Sequence, residues 1–449
     1  MAHHRVAVRG PHGLGKSCLA SWVVLWAVLT EDDCKVPTTA SAWRQLTKFL
    51  WPEVHKWAAR LRWDIIGRPP FNYRELLSMS IKRGDTCEAF ASASDRPEAI
   101  EGAHARRVVY IYDEAKAIAD ETFDATEGAF SGAGADTDRE AYALAISTPG
   151  EPRGRFYEIH TRKPGYEDWN VRHVTIEEAI AANRISVDWV QQRARQWGEN
   201  SAVYQNRVLG EFATSDESSI IPLAWVEAAI ERWKVWADEG FSGQFTGVGI
   251  DVGGGEEGSD KTVFALCYDY TKIKELRRYP CVDPMTSTME VVGHAAGLIR
   301  RTRATAMVDA IGIGAGVYHR LVEQDLPAKA FVASHGTKYT DQSGELGFTN
   351  WRAAAWWITR EMLEPGSSLN ICLPDDDELI GDLTAPKLKR ITSGSKLQVE
   401  GKDEIHKRLG RSTDSGDAVV QILVGPYLCK ESDEHSEVIY QPTPIGVQW

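Results

Sequence analysis

The sequence predicts an α/β chain with two sheets in succession, a parallel one in its first third and a second one beyond residue 215, and three observations carry that reading. A glycine-rich loop near the start lies between an apolar run and a helix-like stretch. A later apolar run ends in two adjacent carboxylates. In the last half, isolated aspartates close successive strand-like runs. Strand patterns alternating with helical ones are the signature of βαβ units, whose parallel strands are covered on both faces.

The loop reads Gly10-Pro11-His12-Gly13-Leu14-Gly15-Lys16-Ser17, with Val6-Ala7-Val8 before it and helix-like Cys18 to Leu29 after it. This is a phosphate-binding loop in strand-loop-helix context. Gly10, Gly13 and Gly15 let backbone N–H groups approach phosphate oxygens, while Lys16 and Ser17 reach the β/γ-phosphates and Mg²⁺. The second run, Arg107 to Tyr112, reads as a buried parallel strand and delivers Asp113-Glu114 to the sheet edge where α/β folds bind ligands. Asp113 is expected to hold Mg²⁺, and Glu114 to polarise the attacking water. A third strand, Ala141 to Ile146, ends in Ser147-Thr148-Pro149-Gly150, placing two hydroxyls beside the γ-phosphate position. Phe90 to Ser94 ends a further strand, and helical stretches at 44–60 and 115–126 complete the alternation. The whole is the architecture of a P-loop NTPase, over residues 1–150. Only nine residues precede Gly10. The adenine is therefore expected to be held from elsewhere, or the chain to begin late.

Bulk properties narrow the class. At 449 residues the chain has room for two or three domains, and its 43% hydrophobic content belongs to a globular protein. A net charge of −13 argues against wholesale coating of nucleic acid, so contact with DNA is expected to be local and metal-assisted. The apolar run Cys18 to Leu29 is too short to span a bilayer and lacks a basic flank or cleavage site. Seven scattered cysteines without close pairs point to reduced thiols rather than zinc or disulfides. The dispersed tryptophans are expected to pack cores rather than stack on bases.

Residues 151–215 turn charged and aromatic and are expected to form a linking or lid subdomain, with the junction near 215. Arg153, Arg155, Arg9 and His12 compete for the role of a cation on the developing γ-phosphate charge. In the domain 216–449, Phe245 to Ile250 ends at Asp251, a Gly253–Gly255 turn follows, and Val263 to Tyr268 returns, which is how an RNase H-like fold opens. Ala304 to Val308 ends at Asp309, and Gly312, Gly314 and Gly316 start a helix. Near the end, Asp417 lies on an amphipathic helix, with Asp414 one turn before it. Three carboxylates from two strands and a helix can hold two divalent ions that activate water and stabilise a leaving phosphodiester oxygen. Asp251, Asp309 and Asp417 are the expected triad, Asp414 the reserve ligand and Asp260 an accessory. Lys402, Lys407, Arg408 and Arg411 are expected to meet a nucleic-acid backbone. Asp375-Asp376-Asp377-Glu378 reads as a solvated helix start.

Taken together, Gly10 to Ser17, Asp113-Glu114, Ser147-Thr148-Pro149, Leu209-Gly210-Glu211-Phe212, Gly249-Ile250-Asp251 and Gly410 to Ala418 resemble the large terminase subunit of tailed bacteriophages, over essentially the whole chain. That resemblance implies an ATP-hydrolysing motor that drives double-stranded DNA into a procapsid, and a nuclease that cuts concatemers. It implies ATP and Mg²⁺ at Lys16, Ser17, Asp113 and Glu114, with Ser147 and Thr148 coupling hydrolysis to motion, and two Mg²⁺ or Mn²⁺ at Asp251, Asp309 and Asp417. The implied partners are double-stranded DNA, the portal protein, a small terminase subunit and further copies in a ring on the portal. The implied place is the bacterial host cytoplasm and, transiently, the procapsid portal, with no membrane and no secretion. The chain departs from the family at His12, where an arginine is often found, so the identity of the arginine finger stays open. One rival reading is a DNA-dependent ATPase whose C-terminal domain binds without cutting; it predicts that Asp251, Asp309 and Asp417 do not converge. Another is a degenerate prophage terminase, which predicts no ATP turnover.

Overall fold

A computed structural model describes residues 4–93, 100, 102–133, 138–213, 219–253, 261–280, 284–302, 304–390 and 396–433. The expected roles of Gly254, Gly255 and Asp260, and the end of the Phe90–Ser94 strand at Ser94, fall outside them. The chain divides into two units, Met1–Gln192 with Tyr204–Thr214, and Arg193–Val203 with Ser215–Trp449. The 151–215 stretch does not stand apart as a subdomain, because its one strand is built into the sheet of the first unit.

In the first unit, strands β1 (Arg5–Arg9), β2 (Cys34–Ala40), β3 (Leu76–Leu77), β4 (Ser80–Arg83), β5 (Cys87–Ala91), β6 (Arg107–Asp113), β7 (Glu140–Ser147) and β8 (Trp169–His173) form one sheet in the order β3-β4-β5-β2-β6-β7-β1-β8. From β5 to β8 every pairing is parallel, and only β3 and β4 at one edge run antiparallel. The Val108–Tyr112 run is apolar throughout because both faces are covered. Val109 and Ile111 pack into one core with Val24, Val28 and Leu50, while Val108, Tyr110 and Tyr112 pack into the other with Phe123 and Phe156. The helical stretch expected at 44–60 is interrupted: Trp43–Gln45, a wider π turn at Leu46–Leu50, then Trp51–Ala58 with Pro52 in its first turn. The stretch at 115–126 is likewise broken, into a 3₁₀ turn at Ala115–Ala117 and a short helix Asp120–Asp124. Glu114, between β6 and that 3₁₀ turn, takes a left-handed conformation, φ 51°.

In the second unit, β9 (Phe245–Asp251), β10 (Lys261–Tyr268), β11 (Lys272–Pro280), β12 (Thr305–Asp309) and β13 (Ala328–Phe331) form a five-stranded sheet ordered β11-β10-β9-β12-β13. β10 is antiparallel to both neighbours, and β12 is parallel to β9 and β13. This is the mixed sheet of an RNase H-like fold. Strand β9 alternates by face: Val248 and Ile250 pack with Val292, Ala295 and Val317, whereas Gly247 and Gly249 lie under the final helix Asp414–Asp433. A Cβ on Gly249 would stand 2.0 Å from the Ala418 carbonyl oxygen, so that helix rests directly on the strand backbone. Among the described residues no helix is long and apolar enough to cross a membrane.

Candidate active sites

The phosphate loop follows directly from strand β1. Gly13 and Gly15 adopt φ of 74° and 92°, a region closed to most side chains, and the helix Lys16–Thr30 begins immediately after. Lys16 Nζ donates to the carbonyls of Gly10 (3.3 Å) and Pro11 (2.8 Å) and to Thr148 Oγ1 (3.0 Å). Burial lowers the Lys16 pKa, and the charges of Glu114 and Asp113 work against that fall. Ser17 Oγ donates to Asp113 at 3.2 and 3.3 Å, and Ser147 Oγ donates to Glu114 Oε2 at 3.0 Å. Burial, with help from the Glu114 charge, pushes the Asp113 carboxyl up to about 7. Residues from three adjacent strands, β1, β6 and β7, thus meet at one sheet edge. Ser17 and Asp113 offer oxygen donors side by side, a pair that suits Mg²⁺.

The Leu209-Gly210-Glu211-Phe212 segment lies against this loop rather than serving only as a linker. A π turn, Gln205–Leu209, ends in Gly210 at φ 68°, and a Cβ there would fall 2.8 Å from the Gly10 backbone. His12 N–H donates to the Arg207 carbonyl (2.9 Å). Arg9 donates to the Gly210 carbonyl (2.6 Å) and pairs with Glu211 while its guanidinium lies over the Phe212 ring. Arg9 is therefore engaged, and Arg155 pairs with Asp124 at 2.8 Å. Arg153, 71% exposed, is held by Glu151 at 2.9 Å. Sequence reasoning missed Arg184: its Nη2 lies 3.0 Å from where a Gly15 Cβ would stand, at the mouth of the loop. No motif marks it, since it follows the short helix Ile176–Ala181 far along the chain.

The second site gathers at the sheet edge where β9 and β12 end. Lys402 Nζ meets both carboxylate oxygens of Asp251, at 3.3 and 3.4 Å, and one oxygen each of Asp309 and Asp417, at 3.7 and 3.3 Å. Asp414 lies close enough to raise the pKa of Asp251 by its charge. Arg352 Nη1 donates to Asp417 Oδ1 (2.6 Å), and Thr413 Oγ1 donates to Asp417 Oδ2 (3.0 Å). Burial holds Asp251 and Asp309 above the usual carboxylate range. Burial also acts on Asp417, but Arg352 and Lys402 outweigh it and hold that carboxyl below the range. For Lys402 burial favours the neutral amine, and the three carboxylates overcome it, keeping the ammonium well above the ordinary lysine range.

Glycines explain why these acids meet. Gly249 lets the last helix approach β9, bringing Asp417 beside Asp251, and a Cβ on Gly314 would stand 1.8 Å from the Asp309 carbonyl oxygen. Much of Gly410 to Ala418 is scaffolding: Gly410 ends the helix Lys402–Leu409 at φ 71°, Arg411 pairs with buried Asp382, and Gly416 N–H donates to Asp382 Oδ2 (3.0 Å). The expected nucleic-acid contacts of Arg408 and Arg411 are corrected accordingly, since Arg408 is paired with Glu400 at 2.7 Å. The 375–378 run is also more than a solvated helix start. Asp376 caps the helix Asp377–Thr384 and, with Glu378, holds Arg278, which in turn donates to Ser415 Oγ. Among the described residues, no three of His, Cys, Asp and Glu form a ready metal cage. The acids converge on an ammonium instead. Oxygens of three carboxylates around a single cation are nonetheless the hard-oxygen donor set that a divalent ion takes.

No family model matches the chain. It is 26% identical over 272 residues to the probable terminase large subunit of Enterobacteria phage P7, a match covering 58% of this chain and 52% of that protein. The chain thus spans about half the length of this curated relative. Among solved structures, it is similar to the large terminase of a thermophilic bacteriophage in complex with ATP-gamma-S, at 13% identity, 94% coverage of both chains and a TM-score of 0.40. The nuclease domain of the large terminase subunit of bacterial virus Sf6 aligns at 20% identity over 46% of this chain and 98% of that one, with a TM-score of 0.37. In its motifs, and over the 272 residues matched, the chain is similar to the probable terminase large subunit of phage P7.

Proposed function

We propose that the chain is the motor and nuclease subunit of a viral DNA-packaging machine: ATP hydrolysis in the first unit drives duplex DNA into a procapsid, and the second unit cuts the concatemer. The observation that carries this reading is the convergence of Asp251, Asp309 and Asp417, from two strands and a distant helix, on one cation in a chain that also holds Lys16, Ser17, Asp113 and Glu114 together. That convergence supports this reading over the rival, which expected the three aspartates to lie apart.

In the first unit, phosphate oxygens would replace the Gly10 and Pro11 carbonyls and Thr148 as acceptors for Lys16, and the loop N–H groups would complete the cradle. Mg²⁺ held by Ser17 and Asp113 would supply neutralisation of the charge that develops during phosphoryl transfer. Glu114, fixed by the Ser147 hydroxyl, orients the attacking water and takes its proton. Ser147 and Thr148 hold Glu114 and Lys16 from one strand end, so a change at the γ-phosphate is felt by β7. In the second unit, divalent ions at Asp251, Asp309 and Asp417, with Asp414 as alternative ligand, would supply an activated water and a stabilised leaving oxygen. Arg352 and Thr413 fix the orientation of Asp417. Double-stranded DNA, the portal protein, a small terminase subunit and further copies in a ring on the portal belong to the same reading, as does action in the bacterial cytoplasm.

Supercoiled-plasmid cleavage by the purified chain tests the proposal. We expect nicking and linearisation with Mn²⁺ or Mg²⁺, none in EDTA, and loss of cleavage in folded Asp309→Ala. Metal-dependent cutting that survives in Asp309→Ala would remove the triad from the reaction.

A further inference from the structure

The second site holds two cations, and they are placed differently. The Arg352 side chain is 11% exposed, and it pairs with Asp417 through Oδ1. Lys402 is 36% exposed and reaches into the centre of all three carboxylates from the first turn of its helix. Its Nζ stands where a divalent ion would sit. Such an ion binds carboxylate oxygens at about 2.0–2.6 Å, closer than the ammonium contacts, so the two cations cannot share the position. Like charge adds to the steric conflict. Arg352, buried beside Asp417, can stay in place while the acids change partner; Lys402, whose flexible stem is partly exposed although its ammonium is buried among the acids, can leave.

Resting on the nuclease reading, we infer that Lys402 is an exchangeable tethered cation that occupies the metal position of the triad, so that metal uptake requires its release. The ammonium keeps three neighbouring carboxylates converged without metal, and it sets the metal affinity of the site below what the acids alone would give. Its release also frees a positive charge beside the acids, where a DNA phosphate can accept it.

Two measurements on the full chain test this, and neither reads activity. The first is Mn²⁺ binding followed by the electron paramagnetic resonance of the free ion, for the wild type and Lys402→Met. We expect Lys402→Met to bind about tenfold more tightly or better, equivalent to about 1.4 kcal/mol of relieved competition. The second needs no variant: acetylation of the wild type by an amine-reactive reagent, quantified by peptide mass spectrometry with Lys407 as internal reference. Saturating Mn²⁺ should increase Lys402 labelling relative to Lys407. Equal Mn²⁺ affinity in the two proteins, or Lys402 labelling that ignores Mn²⁺, overturns the competition while leaving the nuclease reading intact. Absence of Mn²⁺ binding in both proteins overturns the metal site itself and the competition with it.

Discussion

His160 shows how a single side chain can be tuned by its surroundings without belonging to either set of catalytic groups. Its ring packs against Phe156 and Phe212, and its Nε2 is buried with no hydrogen-bond partner among the described residues. Burial first, then the charges of Arg9 and His173, lower its pKa from the ordinary value of 6.5 to about 3. The folded state therefore holds the neutral ring. The stability this contributes is fully present above pH 6.5 and is lost as pH falls toward 3, because the unfolded chain takes up a proton first. The slope from one such group approaches about 1.4 kcal/mol per pH unit. Thermal unfolding between pH 7.5 and 5 should consequently fall less steeply in His160→Phe than in the wild type. Parallel curves would show that His160 does not govern acid sensitivity. At this scale the positions of Asp113, Asp251 and Asp309 at strand ends are legible in the sequence, because an acid closing an apolar run marks itself, whereas Asp417 sits in the first turn of a helix. Lys402 reads from the sequence as a backbone contact and nothing marks Arg352, since a cation's partner lies across the fold and leaves no local pattern.

At the scale of elements, the close seating of the helix Asp414–Asp433 on β9 decides whether the second site exists. The strand carries glycine at 247 and 249 on the face beneath that helix and Val248 and Ile250 on the other, so the alternation makes room for a helix backbone on one side and a core on the other. Gly249→Ala would drive a methyl group onto the Ala418 carbonyl and force the helix away. We expect a loss of about 3 kcal/mol, the upper range for overpacking, together with loss of metal-dependent cleavage. Chemical denaturation and plasmid cleavage would measure both; a variant of wild-type stability and activity would contradict the close approach. The strands themselves were readable from apolar runs. The breaks at Leu46–Leu50 and Gln205–Leu209 were not, because π turns arise where neighbours demand an extra residue per turn rather than from composition. The second of these turns aims Gly210 at the glycine-rich loop, so an apparent linker packs against the candidate nucleotide site.

For the whole molecule, the residues proposed for the ATP site all belong to the first unit and those proposed for the metal triad to the second. Lys16→Ala should therefore cut ATP turnover by about 100-fold or more while leaving Mn²⁺-dependent plasmid cleavage near the wild-type rate. Equal loss of both in a folded variant would show that the units do not act independently. By itself the sequence determined the order of the two folds, the phosphate loop and the acids at the strand ends. These are local patterns, set by glycine's backbone freedom and by the exclusion of charge from buried strands. Only the tertiary structure decided which cations face the acids, that Arg411 and Arg408 are structural, and that residues 205–212 return to the loop at Gly10. Those contacts join positions far apart, 201 residues for Arg9 and Gly210, and their strength depends on burial and distance, which no local pattern records.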